Sequence, residues 1–94
     1  MSCGIYMIKN MINGKVYIGQ AVNIERRWNE HISELNENKH NNKHLQGAWN
    51  KDGANNFRFN IVEECPKDEL NDREIHYIAK YKAHNPKYGY NKTY

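Results

Sequence analysis

One carboxylate stands where hydrophobic periodicity would bury it. Between about Asp68 and Lys82 the chain reads as a helix, and at about 100° per residue Leu70, Glu74, Tyr77, Ile78 and Tyr81 share one arc. A carboxylate on such a face needs a partner, because an unpaired buried charge is costly. A divalent cation is one such partner, since Mg²⁺ takes oxygen ligands, often one or two carboxylates completed by water and phosphate. A structural reading competes on equal terms. Asn71-x-x-Glu74 has the form of a capping box, with Leu70 and Ile75 in hydrophobic-staple positions.

Three more residue types could do chemistry. Arg27 and His31 lie four apart on a helix, along the edge of the apolar stripe formed by Ile24, Trp28, Ile32 and Leu35. There they would point neither into the core nor fully to solvent. Arginine grips phosphate oxygens with a planar fork and histidine can hold or move a proton, but a solvated helix flank would use the same residues. His40 and His44, in the polar stretch Asn36–His44, suit phosphate contacts or nothing in particular. His76 and His84 read as surface residues. Tyr6 and Tyr17 sit in the tripeptides Gly4-Ile5-Tyr6 and Tyr17-Ile18-Gly19, on either side of Asn13-Gly14. A tight two-residue turn there would leave the rings on one face but roughly 13 Å apart. A longer loop, about Asn10 to Gly14, would set them opposite each other. With a free pKa of about 10, a tyrosine needs help from its neighbours to act as a base.

The elements that must carry these side chains are legible. Cys3 to Gln20, rich in Ile, Val and Tyr about a turn, predicts a β-hairpin. Asn23 is an N-cap signal for the helix of Arg27 and His31. Leu45, Ala48 and Trp49 predict a short second helix stopped at Asp52-Gly53. Phe57, Phe59 and Ile61 alternate with Arg58, Asn60 and Val62 in a third strand that ends at Cys65-Pro66. The order β-β-α-α-β-α predicts an α+β fold, a small antiparallel sheet with helices packed on it. A chain of 94 residues predicts a single domain, 1–94, with a small core, and 12% aromatic content argues against disorder. Cys3 and Cys65 are too few and too far apart for a zinc site. They could meet at strand ends, yet a cytosolic chain would keep them reduced. No apolar run approaches bilayer length and no secretory signal is evident, so a cytoplasmic protein is expected, with no membrane partner. The formal net charge of +3 is compatible with nucleic acid without demanding it.

Together these residues resemble the GIY-YIG nuclease superfamily, in particular the amino-terminal catalytic domain of phage group I intron homing endonucleases. Gly4-Ile5-Tyr6 and Tyr17-Ile18-Gly19 are the two naming motifs. Glu25-Arg26-Arg27-Trp28-Asn29-Glu30-His31 resembles the first helix, with the family's arginine at Arg27 and its histidine at His31. His40 matches a loop histidine of the homing branch, Glu74 the metal-binding glutamate and Asn91 the closing asparagine. The match runs from Gly4 to Asn91.

The resemblance implies a three-stranded antiparallel sheet flanked by helices, and phosphodiester hydrolysis with one Mg²⁺ or Mn²⁺ ion held by Glu74. It implies double-stranded DNA as substrate, a monomer, and a bacterial or phage-infected host cell. It favours the longer hairpin loop, with Tyr6 as base and Tyr17 orienting water. Arg27 would neutralise phosphate charge, His31 would position or protonate, and Asn91 would hydrogen-bond within the site. A structure-specific repair nuclease, a restriction enzyme or a non-catalytic binding module of the same fold are the alternatives. Homing enzymes carry a separate C-terminal DNA-recognition module, and none is evident after Asn91. The chain alone is therefore expected to bind DNA weakly and with marked salt dependence.

Overall fold

The computed structural model describes residues 1–92. Strands β1 (Gly4–Asn10) and β2 (Val16–Ala21) form the expected hairpin, and β3 (Phe57–Glu64) pairs antiparallel with the other side of β1. The sheet order is β2-β1-β3, so the first strand is central and β2 is an edge. Helices α1 (Ile24–Asn36) and α2 (Lys43–Asp52) cover one face, and α3 (Leu70–Tyr81) covers the other. Side chains alternate along β1, so Tyr6 and Ile8 pack with Ile24, Leu35, Leu45 and Trp49, while Ile5 and Met7 pack with Leu70 and Ile78. A central strand covered on both faces accounts for the near-continuous apolar run of β1. No helix among the described residues is long and apolar enough to cross a membrane.

The hairpin turn corrects both registers considered from the sequence. A five-residue connection, 11–15, links the strands, closed by Asn10 N–H donating to Lys15 O at 2.9 Å and bent at Gly14 with φ 78°. Tyr6 pairs with Gly19 and Tyr17 with Ile8, so the tyrosines are diagonal neighbours on one face rather than directly opposite. The pairing of Tyr6 with Gly19 has a steric reason. A Cβ at position 19 would overlap Cζ and Oη of Tyr6, so only glycine lets the ring lie across β2.

The cap signalled by Asn23 is present, its Oδ1 accepting from Arg26 N at 3.1 Å, and the structure adds a second at Asn42, whose Oδ1 accepts from Leu45 N at 3.0 Å. The capping box does not form. A 3-10 turn, Lys67–Glu69, leads into α3, and Asn71 lies inside the helix, where its Oδ1 accepts from Gln20 Nε2 at 2.7 Å. A bulge opposite Ile5 and Tyr6 shifts β3, leaving Ile61 39% exposed and turning Glu63 toward α3, where Arg73 and Tyr77 hold its carboxylate. Cys3 and Cys65 do meet at strand ends, with Cys65 N–H donating to Cys3 O, and both thiols are free.

Candidate active site

The three layers meet at the outer edge of β2. There the α1–α2 loop arrives from one face, α3 from the other, and the C-terminal segment runs alongside. Gly89 bridges to Val16, and the Asn91 side chain copies a strand residue: its Oδ1 accepts from Ile18 N and its Nδ2 donates to Ile18 O, both at 2.8 Å. A cleft of about 300 Å³ opens at this edge, lined by Tyr17, Asn41, Asn42, Glu74, Asn91 and Lys92.

Glu74 is half-buried at the cleft rather than sunk in the apolar face. Its neighbours Leu70 and Ile78 reach the core, and the α3 stripe frays outward to Tyr81, 38% exposed. Glu74 Oε1 accepts from Gln20 Nε2 at 2.9 Å, and no salt bridge engages it among the described residues. Gln20 therefore bridges β2 to α3 and aims the carboxylate.

His31 departs most from expectation. Placed by periodicity on a helix edge, it is fully buried, and so is His40, because the loop after α1 folds over it. The rings stack with centroids 5.0 Å apart, Nδ1 of His31 lies 2.7 Å from Nε2 of His40, and Nε2 of His31 lies 2.7 Å from Tyr6 Oη. Donor counting fixes the direction of this chain. The backbone N–H of Asn42 can only donate, and it meets His40 Nδ1 at 3.0 Å. Burial pushes the His40 pKa down and, with help from Arg27 and His40, takes that of His31 to about 3, so both rings are neutral at pH 7. His40 must then carry its single proton on Nε2 and donate to His31 Nδ1. His31 carries its proton on Nε2 and donates to Tyr6 Oη. Tyr6 accepts, and its own proton is directed to some other acceptor.

Gln46 completes the enclosure. Its Oε1 accepts from His40 N at 3.0 Å and its Nε2 donates to Leu35 O at 2.9 Å, locking the loop to α1.

Arg27 is half-buried beside this chain and pairs with Glu30 Oε1 at 3.2 Å. Burial, then Tyr17, raises the pKa of the Tyr6 phenol well above its ordinary value, and Arg27 pulls against that rise. Tyr17 is also raised by burial first, with Arg27 lowering it and Glu74 raising it. Its ring lies 5.5 Å from that of His31, centroid to centroid. The two tyrosines differ in one decisive respect: Tyr6 is 1% exposed, whereas Tyr17 lines the cleft. That geometry turns against Tyr6 as the residue meeting water. His31 with a pKa of about 3 is equally unsuited to donate a charged proton near neutrality.

All seven residues singled out from the sequence thus converge, Tyr6, His31 and His40 in a buried chain and Tyr17, Glu74 and Asn91 at the cleft, with Arg27 between. Gln20, Asn42 and Gln46 were missed. Gln20 and Gln46 act through side-chain amide hydrogen bonds, to Glu74 and to Leu35 and His40, and Asn42 through its backbone N–H to His40, contacts that residue type alone does not signal. His44 instead lies on α2 with its ring against Tyr90.

Two places could hold a metal. His31, Glu34 and His40 offer one ligand atom each within 4.8 Å of one another. An ion there would take His40 Nε2 while Nδ1 still faces the Asn42 N–H, leaving a neutral imidazole no nitrogen for its proton. The cleft offers Glu74 carboxylate oxygens with phenol and amide oxygens nearby, the hard donors that Mg²⁺ prefers.

Comparison with known proteins gives this geometry a family. Residues 2–91 match the GIY-YIG catalytic domain. The chain is 44% identical over 82 residues to intron-associated endonuclease 1 of Enterobacteria phage T4, covering 85% of this chain and 33% of that protein. It is 36% identical over 89 residues to a probable intron-encoded endonuclease 1 of Neurospora crassa, covering 87% and 28%. It therefore spans about a third or less of these relatives' length. Among solved structures, a variant of the catalytic domain of intron endonuclease I-TevI superposes with a TM-score of 0.89 at 39% identity, covering 99% of this chain and 95% of that one. A second structure of that catalytic domain superposes at 0.86 and 38% identity, covering 95% and 96%. A three-stranded sheet, its flanking helices and the matched motifs all lead to one conclusion: this chain belongs to the GIY-YIG catalytic domain family, homologous to phage and fungal intron homing endonucleases.

Proposed function

We propose that the domain is a divalent-metal-dependent DNA endonuclease that hydrolyses phosphodiester bonds as the catalytic part of an intron homing endonuclease. The observation that carries the reading is the cleft at the β2 edge, where Glu74 and Tyr17 face one space and the Tyr17 ring lies against His31 of the Tyr6–His31–His40 chain. Glu74 would hold one Mg²⁺ or Mn²⁺ ion, supplying Lewis-acid stabilisation to the leaving 3′ oxygen. Tyr17 meets the attacking water. The Glu74 charge disfavours a Tyr17 phenolate, so neutralising that carboxylate would ease formation of the phenolate that accepts a proton from water. Arg27 leaves Glu30 to grip the phosphate as its charge grows. Tyr6, held as an acceptor by His31, stays within the buried chain, and Asn91 fixes the strand that carries Tyr17. His31 and His40 act as positioning groups and stay neutral. The domain works as a monomer in the cytoplasm, on double-stranded DNA selected by a recognition segment outside this chain.

The test is cleavage of supercoiled plasmid with Mg²⁺ against excess EDTA, using wild type and Glu74→Ala. Nicking by wild type that needs Mg²⁺ and vanishes in the variant is expected. Metal-independent cleavage, or a folded Glu74→Ala protein that still cuts, refutes the assignment.

A further inference from the structure

A second groove leads out of the cleft, and its chemistry names an occupant. Asn42 and Asn91 line the cleft; the residues beside them, Lys43 and Tyr90, line a groove of about 270 Å³ between α2 and the β1–β2 turn. Lys43, Gly47 and Lys51 follow at i, i+4 and i+8 on α2, one row along the helix. Lys15 faces them from the turn. No salt bridge engages any of the three ammonium groups among the described residues. The acid of the groove, Asp52, is held by Asn10, whose Nδ2 donates to its Oδ2 at 2.7 Å. Three lysines against one aspartate give the groove +2, a large part of the chain's +3.

Gly47 is the second observation. Glycine is the poorest residue but proline for a helix interior, and nothing inside the protein requires it here. A Cβ at position 47 would meet no atom within 4 Å, unlike at Gly19, where it would overlap Tyr6. Gly47 is exposed, and its bare backbone forms the floor of the groove between two lysines. Lys43 and Lys51 are about 12 Å apart along the helix axis, which matches three to four nucleotide steps of one DNA strand at about 3.4 Å each.

We propose that this groove holds the sugar–phosphate backbone of the DNA strand flanking the scissile phosphate, with Gly47 allowing the backbone to lie against α2 and Lys15, Lys43 and Lys51 each neutralising a phosphate along that strand. The inference rests on the nuclease reading and adds a path for the substrate beyond the cleft. Phosphate contacts set register without reading sequence, so the groove contributes affinity and orientation but no specificity.

The test is equilibrium binding of a fluorescein-labelled duplex in EDTA over a series of salt concentrations. The variants are the triple Lys15→Gln/Lys43→Gln/Lys51→Gln, Gly47→Leu, and a control, Lys67→Gln/Lys80→Gln, on the α3 side. Removing one lysine–phosphate pair lowers the slope of log K against log salt by about 0.9, so the triple variant should lose about 2.7 from it and on the order of 10²-fold in affinity at about 0.1 M salt. Gly47→Leu keeps the charge, so it should weaken binding while thermal unfolding shows an equally or more stable fold. The control should keep most of the wild-type affinity. Wild-type affinity and slope in both groove variants would overturn the proposal. Mg²⁺-dependent plasmid cleavage by wild type, run in parallel, separates the two readings: groove variants that bind normally beside an active wild type sink the groove alone, whereas a wild type that neither binds nor cuts sinks both.

Discussion

Lowering the pH should destabilise this fold well before its carboxylates titrate, because His31 is buried as a neutral ring. Its pKa is about 3 in the folded protein, with burial as the main cause, against about 6.5 in an unfolded chain. The folded pKa is the lower one, so the unfolded state binds the extra proton. Stability is therefore present above about pH 6.5 and lost as pH falls toward 3. Integrating that difference from about pH 7 to 4.5 gives a loss of about 2.5 kcal/mol from His31 alone. His40, also pushed down by burial, steepens the loss. Against a typical domain stability of about 5–15 kcal/mol this is a large fraction. The assay is urea denaturation at several pH values, comparing wild type with His31→Gln. Glutamine does not titrate and can still donate to Tyr6. Wild type should lose stability steeply between about pH 6.5 and 4.5, and the variant should follow a flatter curve by about 2 kcal/mol over that range. Parallel curves would refute the buried neutral ring, as would an NMR titration of His31 near 6.5. The same spectra test the direction of the chain: both rings should carry their proton on Nε2, and a protonated Nδ1 on either would break the donor count that begins at Asn42.

Glu74→Ala should abolish cleavage while changing the unfolding free energy from urea denaturation by no more than about 1 kcal/mol, since the carboxylate is half-buried at an open cleft and its hydrogen bond comes from Gln20, which also donates to Asn71. Arg27→Ala should slow single-turnover cleavage by ~10²–10³ with a smaller loss of affinity, and Arg27→Lys should rescue poorly because a point charge does not replace the planar fork; equal losses in rate and affinity would make Arg27 a phosphate anchor. Tyr6→Phe should destabilise by about 1–3 kcal/mol, since the buried His31 N–H loses its acceptor. Tyr17→Phe should leave the denaturation curve near wild type and remove cleavage. If the Tyr6 variant is the one that stays stable and loses only rate, the placement of Tyr17 at the water is wrong.

Local signals in the sequence were sufficient for the elements. Asn23 caps α1 because a side-chain oxygen satisfies an orphan N–H wherever an apolar stripe follows, and that rule needs only neighbouring residues. The same kind of rule misfired at Asn71. The spacing of a capping box is there, but a 3-10 turn had already begun the helix, and Asn71 was free to bond Gln20 across to β2. The register of the tyrosines was legible only in part. Alternation put both on one face, while the five-residue turn that sets their offset depends on Asn10 and Asn13 bonding their own backbone.

What escaped the sequence is what the site depends on most. Periodicity correctly puts His31 beside the apolar stripe of α1, yet its burial is decided by a loop that Gln46 ties down from another helix. A histidine on that edge would ordinarily reach solvent and titrate near neutrality. Enclosed by His40 and Tyr6, it becomes a neutral donor of fixed direction, and that direction comes from the backbone N–H of Asn42, which carries no signature in the residue type. Gly19 is the point where pattern and site coincide, because its missing side chain is the space the Tyr6 ring occupies. The Tyr-Ile-Gly tripeptide is thus less a catalytic string than two demands on one edge strand: Tyr17 presented to the cleft, and a gap at Gly19 so that Tyr6 can reach His31 beneath it. Widening Gly19 to alanine must displace that ring, which ties the motif's glycine to the proton order of the buried chain rather than to the flexibility of the hairpin.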